Sequence, residues 1–293
     1  MILVSICLIG CATRPVPTIV PDASPAVQTL SKKSLKVGLV LGGGAARGFA
    51  HIGVIQVLEE AGIRPSLVVG TSAGSLVAAF YASGKTGAQL QQIAETMEEA
   101  AFADWTLPIF SRGMLRGEAL ARYVSAQVNG RPIESMSLPL GIVATDLNSG
   151  QGMLFQRGDT ATAVRASSAV PALFQPVKIL GREYVDGGLV SPVPVRYARQ
   201  MGAEVIIAVD ISNAPEGNGA SDTLKILLQT FAIMGKSINS FELREADVVV
   251  RPSLLGVASS DFGARRRAIQ AGRVAMQALL PQLRAALNGE KHQ

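Results

Sequence analysis

Gly70-Thr71-Ser72-Ala73-Gly74 holds the serine best placed to act as a nucleophile. The apolar run Pro65-Ser66-Leu67-Val68-Val69 leads into it and Ser75-Leu76-Val77-Ala78-Ala79-Phe80 leads out, so the pattern reads strand, sharp turn, helix. At such a turn the hydroxyl projects above the sheet, and glycines two positions to either side permit backbone angles and close approaches that a Cβ forbids. A second feature is Gly42-Gly43-Gly44-Ala45-Ala46-Arg47-Gly48, a glycine-rich loop that opens a helix and so offers unpaired N–H groups to a negative oxygen. The lysine and Ser/Thr of a P-loop are absent, and the spacing is not that of a dinucleotide fold. Beside a nucleophile turn, an oxyanion hole is the stronger reading.

Histidine is nearly missing. The chain has His51 and His292 and no others, the second one residue from the end. A Ser-His-Asp triad of the α/β-hydrolase order needs a histidine downstream of the serine, and His292 is poorly placed for it. His51, inside the first helix with no orienting carboxylate nearby in sequence, reads as structural. A nucleophilic Ser72 therefore needs a carboxylate as its base. Asp146 and Asp210 follow apolar strands, where open sheets place ligands, but turn or cap duty explains both.

These side chains must be held by a sheet and its helices. Leu35 to Leu41 is apolar at nearly every position, as a strand covered on both faces requires. Helices follow over Arg47 to Ala61 and Gly87 to Ala100, then Glu118 to Val128 and Thr160 to Ser168. Leu140 to Thr145 reads as a buried strand, Ile179 to Val185 as a turn with a short strand, and Val205 to Val209 as the last strand, with helices around 222 to 241 and 263 to 287. The alternation predicts an α/β fold of three layers, α/β/α, around a mostly parallel sheet. Phe102, Trp105 and Phe110 fall in an irregular segment where core packing is the plain expectation. The stretch from Leu224 to Met234 is too short and interrupted to span a bilayer and reads as a buried helix.

Composition excludes several functions. The chain has 293 residues, 48% of them hydrophobic, enough for one large core. The net charge of +5 is modest and partly concentrated in Arg265-Arg266-Arg267, with no aromatic-interleaved basic stripe, so nucleic acid is not an expected partner. Neither a metal nor a cofactor is expected, because two distant histidines and two cysteines near the start make no zinc set. Those cysteines, Cys7 and Cys11, belong to an apolar leader ending Leu8-Ile9-Gly10-Cys11, which resembles a bacterial lipobox although no Lys or Arg precedes it. The expectation is a signal segment over 1–11, lipidation at Cys11, a Pro-rich tether over 12–34 and a folded domain over 35–288. Such a protein would sit on the periplasmic side of the outer membrane; without a working leader it would be cytoplasmic.

With Ala166-Ser167-Ser168-Ala169-Val170-Pro171, Phe174 and Asp186-Gly187-Gly188 added to the two motifs above, the chain resembles the patatin-like phospholipases, in the branch related to neuropathy target esterase. The resemblance spans nearly all of residues 35 to 285. It implies a patatin-like fold, a Ser72–Asp186 dyad without histidine, and no cofactor. Gly42, Gly43, Gly44 and Ala73, with Arg47 adding charge, are the implied oxyanion hole. Gly48, Gly70, Gly74, Gly187 and Gly188 are its supports, and Ser167 and Ser168 would shape the pocket wall. The implied activity is hydrolysis of phospholipid or lysophospholipid acyl esters at a membrane. A soluble ester or thioester hydrolase, or a regulatory lipoprotein on the same fold, are the alternatives.

Overall fold

Val37–Leu41 (β1) is buried at every position, and alternate residues serve opposite layers: Leu39 and Leu41 pack with one cluster, Val40 with another. The computed structural model describes residues 35–97, 113–212 and 223–289. The leader with Cys11, the tether, and the segment holding Phe102, Trp105 and Phe110 lie outside them.

After β1 a 3-10 turn (Ala45–Phe49) precedes α1 (Ala50–Glu60), so the helix read from Arg47 begins as a tighter turn. Then come β2 (Leu67–Thr71), α2 (Ala73–Ala82), α3 (Gly87–Thr96), β3 (Gly113–Leu115) and α4 (Glu118–Gln127). Next are β4 (Leu140–Asp146), β5 (Gly152–Phe155), α5 (Thr160–Ser167), β6 (Ala172–Phe174), β7 (Val177–Ile179) and β8 (Arg182–Asp186). The chain continues through α6 (Val195–Gln200), β9 (Val205–Val209), α7 (Thr223–Glu242), β10 (Val248–Val250) and α8 (Arg265–Leu287). Val205–Val209 is not the last strand, because β10 adds to the sheet beside it.

Strands β10-β9-β1-β2-β4 run parallel in that order, while β5 and β8 are antiparallel to β4 and β7 to β8. Helices cover both faces, giving the three layers expected. The face carrying Leu39, Val68, Ile142 and Ile207 packs under α1, α2 and α8; the face carrying Val40, Val69, Val143 and Ile206 packs under α6. β3 and β6 form a separate parallel pair.

Two local features matter later. Where α1 crosses α8, a Cβ on Gly53 would overlap the carbonyl of Ile269, and one on Gly272 would overlap the carbonyl of Ala50. The two backbones touch. On α7, none of residues 225–234 is buried, which overturns the expectation of a buried helix there.

Candidate active site

Ser72 stands at the junction of β2 and α2 with φ 52° and ψ −125°. For a residue with a Cβ that conformation costs roughly 1–3 kcal/mol, so the surroundings must impose it. They do so from both sides: the Ser72 N–H donates to Ser167 Oγ at 2.9 Å, and the Ser72 carbonyl accepts from the N–H of Ser75 at 2.8 Å and from its Oγ at 2.7 Å. The flanking glycines are needed for space alone. A Cβ on Gly70 would overlap the Gly74 backbone, and one on Gly74 the Leu41 carbonyl, while neither has a positive φ.

Asp186 reaches Ser72 through an arrangement of the sheet. Along β4, Thr71 of β2 pairs with Val143 and Asp186 of β8 with Ala144, while β5 pairs with Ile142 through Thr145. A strand has two edges, and β5 occupies one of them over this stretch. β2 and β8 must therefore share the other, meeting there end to end. Asp186 is fixed by its N–H on Ala169 O at 2.9 Å and by its carbonyl, which accepts from Thr145 Oγ1 at 2.8 Å. Its Oδ2 accepts from Ser72 Oγ at 2.6 Å and its Oδ1 from the Gly188 N–H at 2.7 Å. The carboxyl is 7% exposed, and burial pushes its pKa up to about 6 against the opposing pull of those two bonds. A Cβ on Gly187 would overlap the Val143 carbonyl, so the turn after Asp186 needs its glycine.

The glycine loop differs from the expectation at two positions. The Gly42 N–H donates to Val209 O at 3.1 Å and the Gly43 N–H to Pro192 O at 2.9 Å, so neither is left for an oxyanion. These bonds hold the loop to its neighbours instead. Gly43 packs on the nucleophile, since a Cβ there would lie 3.2 Å from Ser72 Cβ. Among the described residues, no partner occupies the N–H of Gly44 or of Ala73, the latter at the start of α2. Ala45, at φ 47°, begins the 3-10 turn. Arg47 is 7% exposed within that turn, and Gly48 lets the turn pack on Ala73.

His51 is fully buried and its Nε2 lies 2.8 Å from Gly42 O, so that nitrogen carries the proton. Burial drives its pKa down to about 4, leaving a neutral ring that ties α1 to the glycine loop. Asp146 and Asp210 have turn duties. Asp146 accepts from the N–H groups of Asn148 and Ser149 and pairs with Arg182; Asp210 accepts from Ser212 and pairs with Arg251. Among the described residues, no three His, Cys, Asp or Glu gather as a metal site.

Ser167 does more than line a wall. Fully buried, it accepts the Ser72 N–H and donates to Val143 O at 2.5 Å, bridging the strained turn to β4. Ser167→Ala would leave a buried donor and a buried acceptor unpaired, a loss of about 1–3 kcal/mol in stability. Denaturant unfolding should read that loss, and ester turnover should fall with it because Ser72 is no longer held. The signal in sequence was the Ser167-Ser168 pair, but nothing in its spacing pointed to the elbow.

Beside Ala73 runs a narrow apolar cavity of about 50 Å³, lined by Ala45, Leu76, Phe80, Ile93 and Phe262 among others. A wider open hollow of about 600 Å³, between Gly150–Gly152 and Arg196–Gln200, contains neither Ser72 nor Asp186.

The sequence model of one family, patatin-like phospholipase, matches residues 39–199. An uncharacterized NTE family protein of Mycobacterium tuberculosis is 35% identical over 196 residues, covering 67% of this chain and 54% of that protein. Patatin-like phospholipase domain-containing protein 6 of Homo sapiens is 35% identical over 190 residues, 61% of this chain and 14% of that protein. The chain thus spans about half the length of the mycobacterial relative and a small part of the human one. Among solved structures, VipD from Legionella pneumophila superposes with a TM-score of 0.59 at 15% identity, over 85% of this chain and 67% of that one, a likeness of fold.

Proposed function

The chain belongs to the patatin-like phospholipase family, and from that premise we propose that it is a serine acyl hydrolase that cleaves acyl esters of phospholipids or lysophospholipids. One observation carries the reading: Ser72 Oγ donates directly to Asp186 Oδ2 at 2.6 Å, with the carboxyl buried and raised to a pKa of about 6. At neutral pH such a carboxylate is still ionised and is a better base than an ordinary aspartate.

In the first half of the reaction Asp186 takes the Ser72 proton as Oγ bonds to the ester carbonyl carbon. The oxyanion is held by the N–H groups of Gly44 and Ala73, and Arg47 adds positive charge to the same loop. Collapse breaks the C–O bond, and Asp186 returns the proton to the departing alcohol. In the second half Asp186 takes a proton from water as its oxygen attacks the acyl carbon; collapse breaks the acyl–Oγ bond, and Asp186 returns the proton to Ser72 Oγ as the acid leaves. The apolar lining beside Ala73 would meet the first carbons of an acyl chain. Lipidation of Cys11, and with it attachment to the periplasmic side of the outer membrane, is part of the same proposal.

The test is fatty-acid release from a panel of phospholipids and lysophospholipids. Ser72→Ala should lower release by on the order of a thousandfold or more without changing the unfolding midpoint. Release that survives this substitution overturns the assignment.

A further inference from the structure

α7 has a half of which one face is exposed and the other only half-buried. From Lys225 to Met234 no residue is buried, although Ile226, Leu227, Leu228, Phe231, Ile233 and Met234 lie there. They cover about 220° of the helix surface, against a narrower stripe of Lys225, Gln229, Ala232 and Lys236. A broad exposed apolar face belongs in an apolar medium, and with lysines along the other side the helix has the pattern of one that lies in a membrane interface.

Topology fixes where this half lies. α7 connects the C-terminal end of β9 to the start of β10, and the two strands are parallel. Its first turns are therefore at the sheet end where β2 stops at Ser72. Twenty residues of helix measure about 30 Å, against about 17 Å for the five residues of β9, so roughly 13 Å must project beyond the sheet. The second half is the anchored one. Gly235 packs on Pro192, whose carbonyl accepts the Gly43 N–H; Asn239 Oδ1 accepts from Val193 N–H; Glu242 accepts from Ser191 Oγ.

We propose that the exposed apolar face of residues 225–234 lies in the headgroup boundary of one leaflet of an anionic lipid bilayer and seats Ser72 at its surface. The inference rests on the lipid-hydrolase reading for its purpose, but not for its geometry. Ten residues span about 15 Å, half of what a crossing needs, so the stretch stays on one leaflet. From Thr223 to Phe241 the helix has no acidic residue, and its two lysines, Lys225 and Lys236, lie with Gln229 on one narrow polar stripe beside the apolar face, where anionic headgroups would meet them if the helix lies along the surface. Exposed Ile226, Ile233, Met234 and Phe241 continue one face, with Arg244 over the Phe241 ring at 5.2 Å.

Two measurements test it on the full chain. With Cys7→Ser and Cys11→Ser as background, Ile233→Cys labelled with an environment-sensitive fluorophore should blue-shift and brighten several-fold on vesicles of phosphatidylglycerol with phosphatidylcholine. In the natural background, Ile226→Asp combined with Ile233→Asp should lower hydrolysis of vesicle phospholipid by on the order of tenfold or more. It should leave hydrolysis of a soluble short-chain ester and the unfolding midpoint unchanged. A label that ignores the vesicles overturns the proposal, as does one that responds to protein concentration alone, which would mark a contact between copies. Equal loss on both substrates also overturns it, by assigning the face to the fold. If the label enters vesicles while no substrate is cleaved, docking stands and the hydrolase reading fails.

Discussion

Asp186→Asn should lower acyl-ester turnover by on the order of a thousandfold while making the folded protein more stable at neutral pH. The amide oxygen can keep the bond from the Gly188 N–H and the amide NH2 can donate to Ser72 Oγ, so the geometry has partners to hold it, but it cannot take a proton. In the natural protein kcat/KM should rise with pH along a limb centred near 6, where the buried carboxyl ionises; the residual activity of the variant should lack that limb. Stability moves the other way. The folded state raises the Asp186 pKa to about 6 from an ordinary value near 3.8, so it binds this proton more tightly than the unfolded chain does. Its contribution is complete below about pH 4 and is lost as pH rises through 6, a loss of about 3 kcal/mol. His51 has the opposite sign. Its pKa falls from 6.5 to about 4 on folding, so its contribution is present above 6.5 and is lost as pH drops toward 4. The two slopes oppose each other between pH 4 and 6 in the natural protein. Removing the carboxyl exposes the histidine slope alone, and urea unfolding at pH 5 and pH 8 reads both effects. A variant of unchanged turnover would mean that Asp186 is not the base.

Gly272→Ala, and Gly53→Ala with it, should cost about 3 kcal/mol or more in stability, although alanine is the better helix former by about 1 kcal/mol. The added methyl has no free volume. At each site it would overlap a carbonyl of the facing helix, and backbone cannot rotate away as a side chain does. Relief requires α1 and α8 to separate, which would also open the Arg273–Glu60 pair and loosen Ile269, Ala268 and Met276 from the core. The overlap therefore outweighs propensity. Thermal unfolding should show a midpoint lower by roughly 6–12 °C, taking 2–4 °C per kcal/mol for a domain of this size.

The long apolar strands and amphipathic helices were legible because burial on both faces, or on one stripe, leaves a periodic trace. β1, β2, β4 and β9 lie within two residues of where their apolar runs put them, and α4 ends one residue early. Elements made by pairing left no such trace. β3, β6, β7 and β10 are three residues each, too short for an alternation to declare itself, and β5 is half-buried throughout. The elbow was readable from its glycines, which mark close approach, and the Asp186 segment through the family resemblance. Which N–H groups of the glycine loop are free was not, since Val209 and Pro192 lie more than 140 residues away in sequence. The exposed half of α7 misled for a related reason: a row of leucines and isoleucines records what surrounds a helix only as apolar, without saying whether that is protein or lipid.

The end-to-end meeting of β2 and β8 on one edge of β4 has a bearing on when the chain becomes reactive. The two strands carry residues 114 positions apart, and neither pairs with the other. During synthesis β1, β2 and β4 can assemble with Ser72 already in its strained turn, yet the carboxylate is absent until the second strand is laid against the remaining length of β4. Ester cleavage on the proposed dyad therefore cannot begin before β8 is paired. A ribosome-bound chain that has not yet laid β8 against β4 holds a serine without its carboxylate.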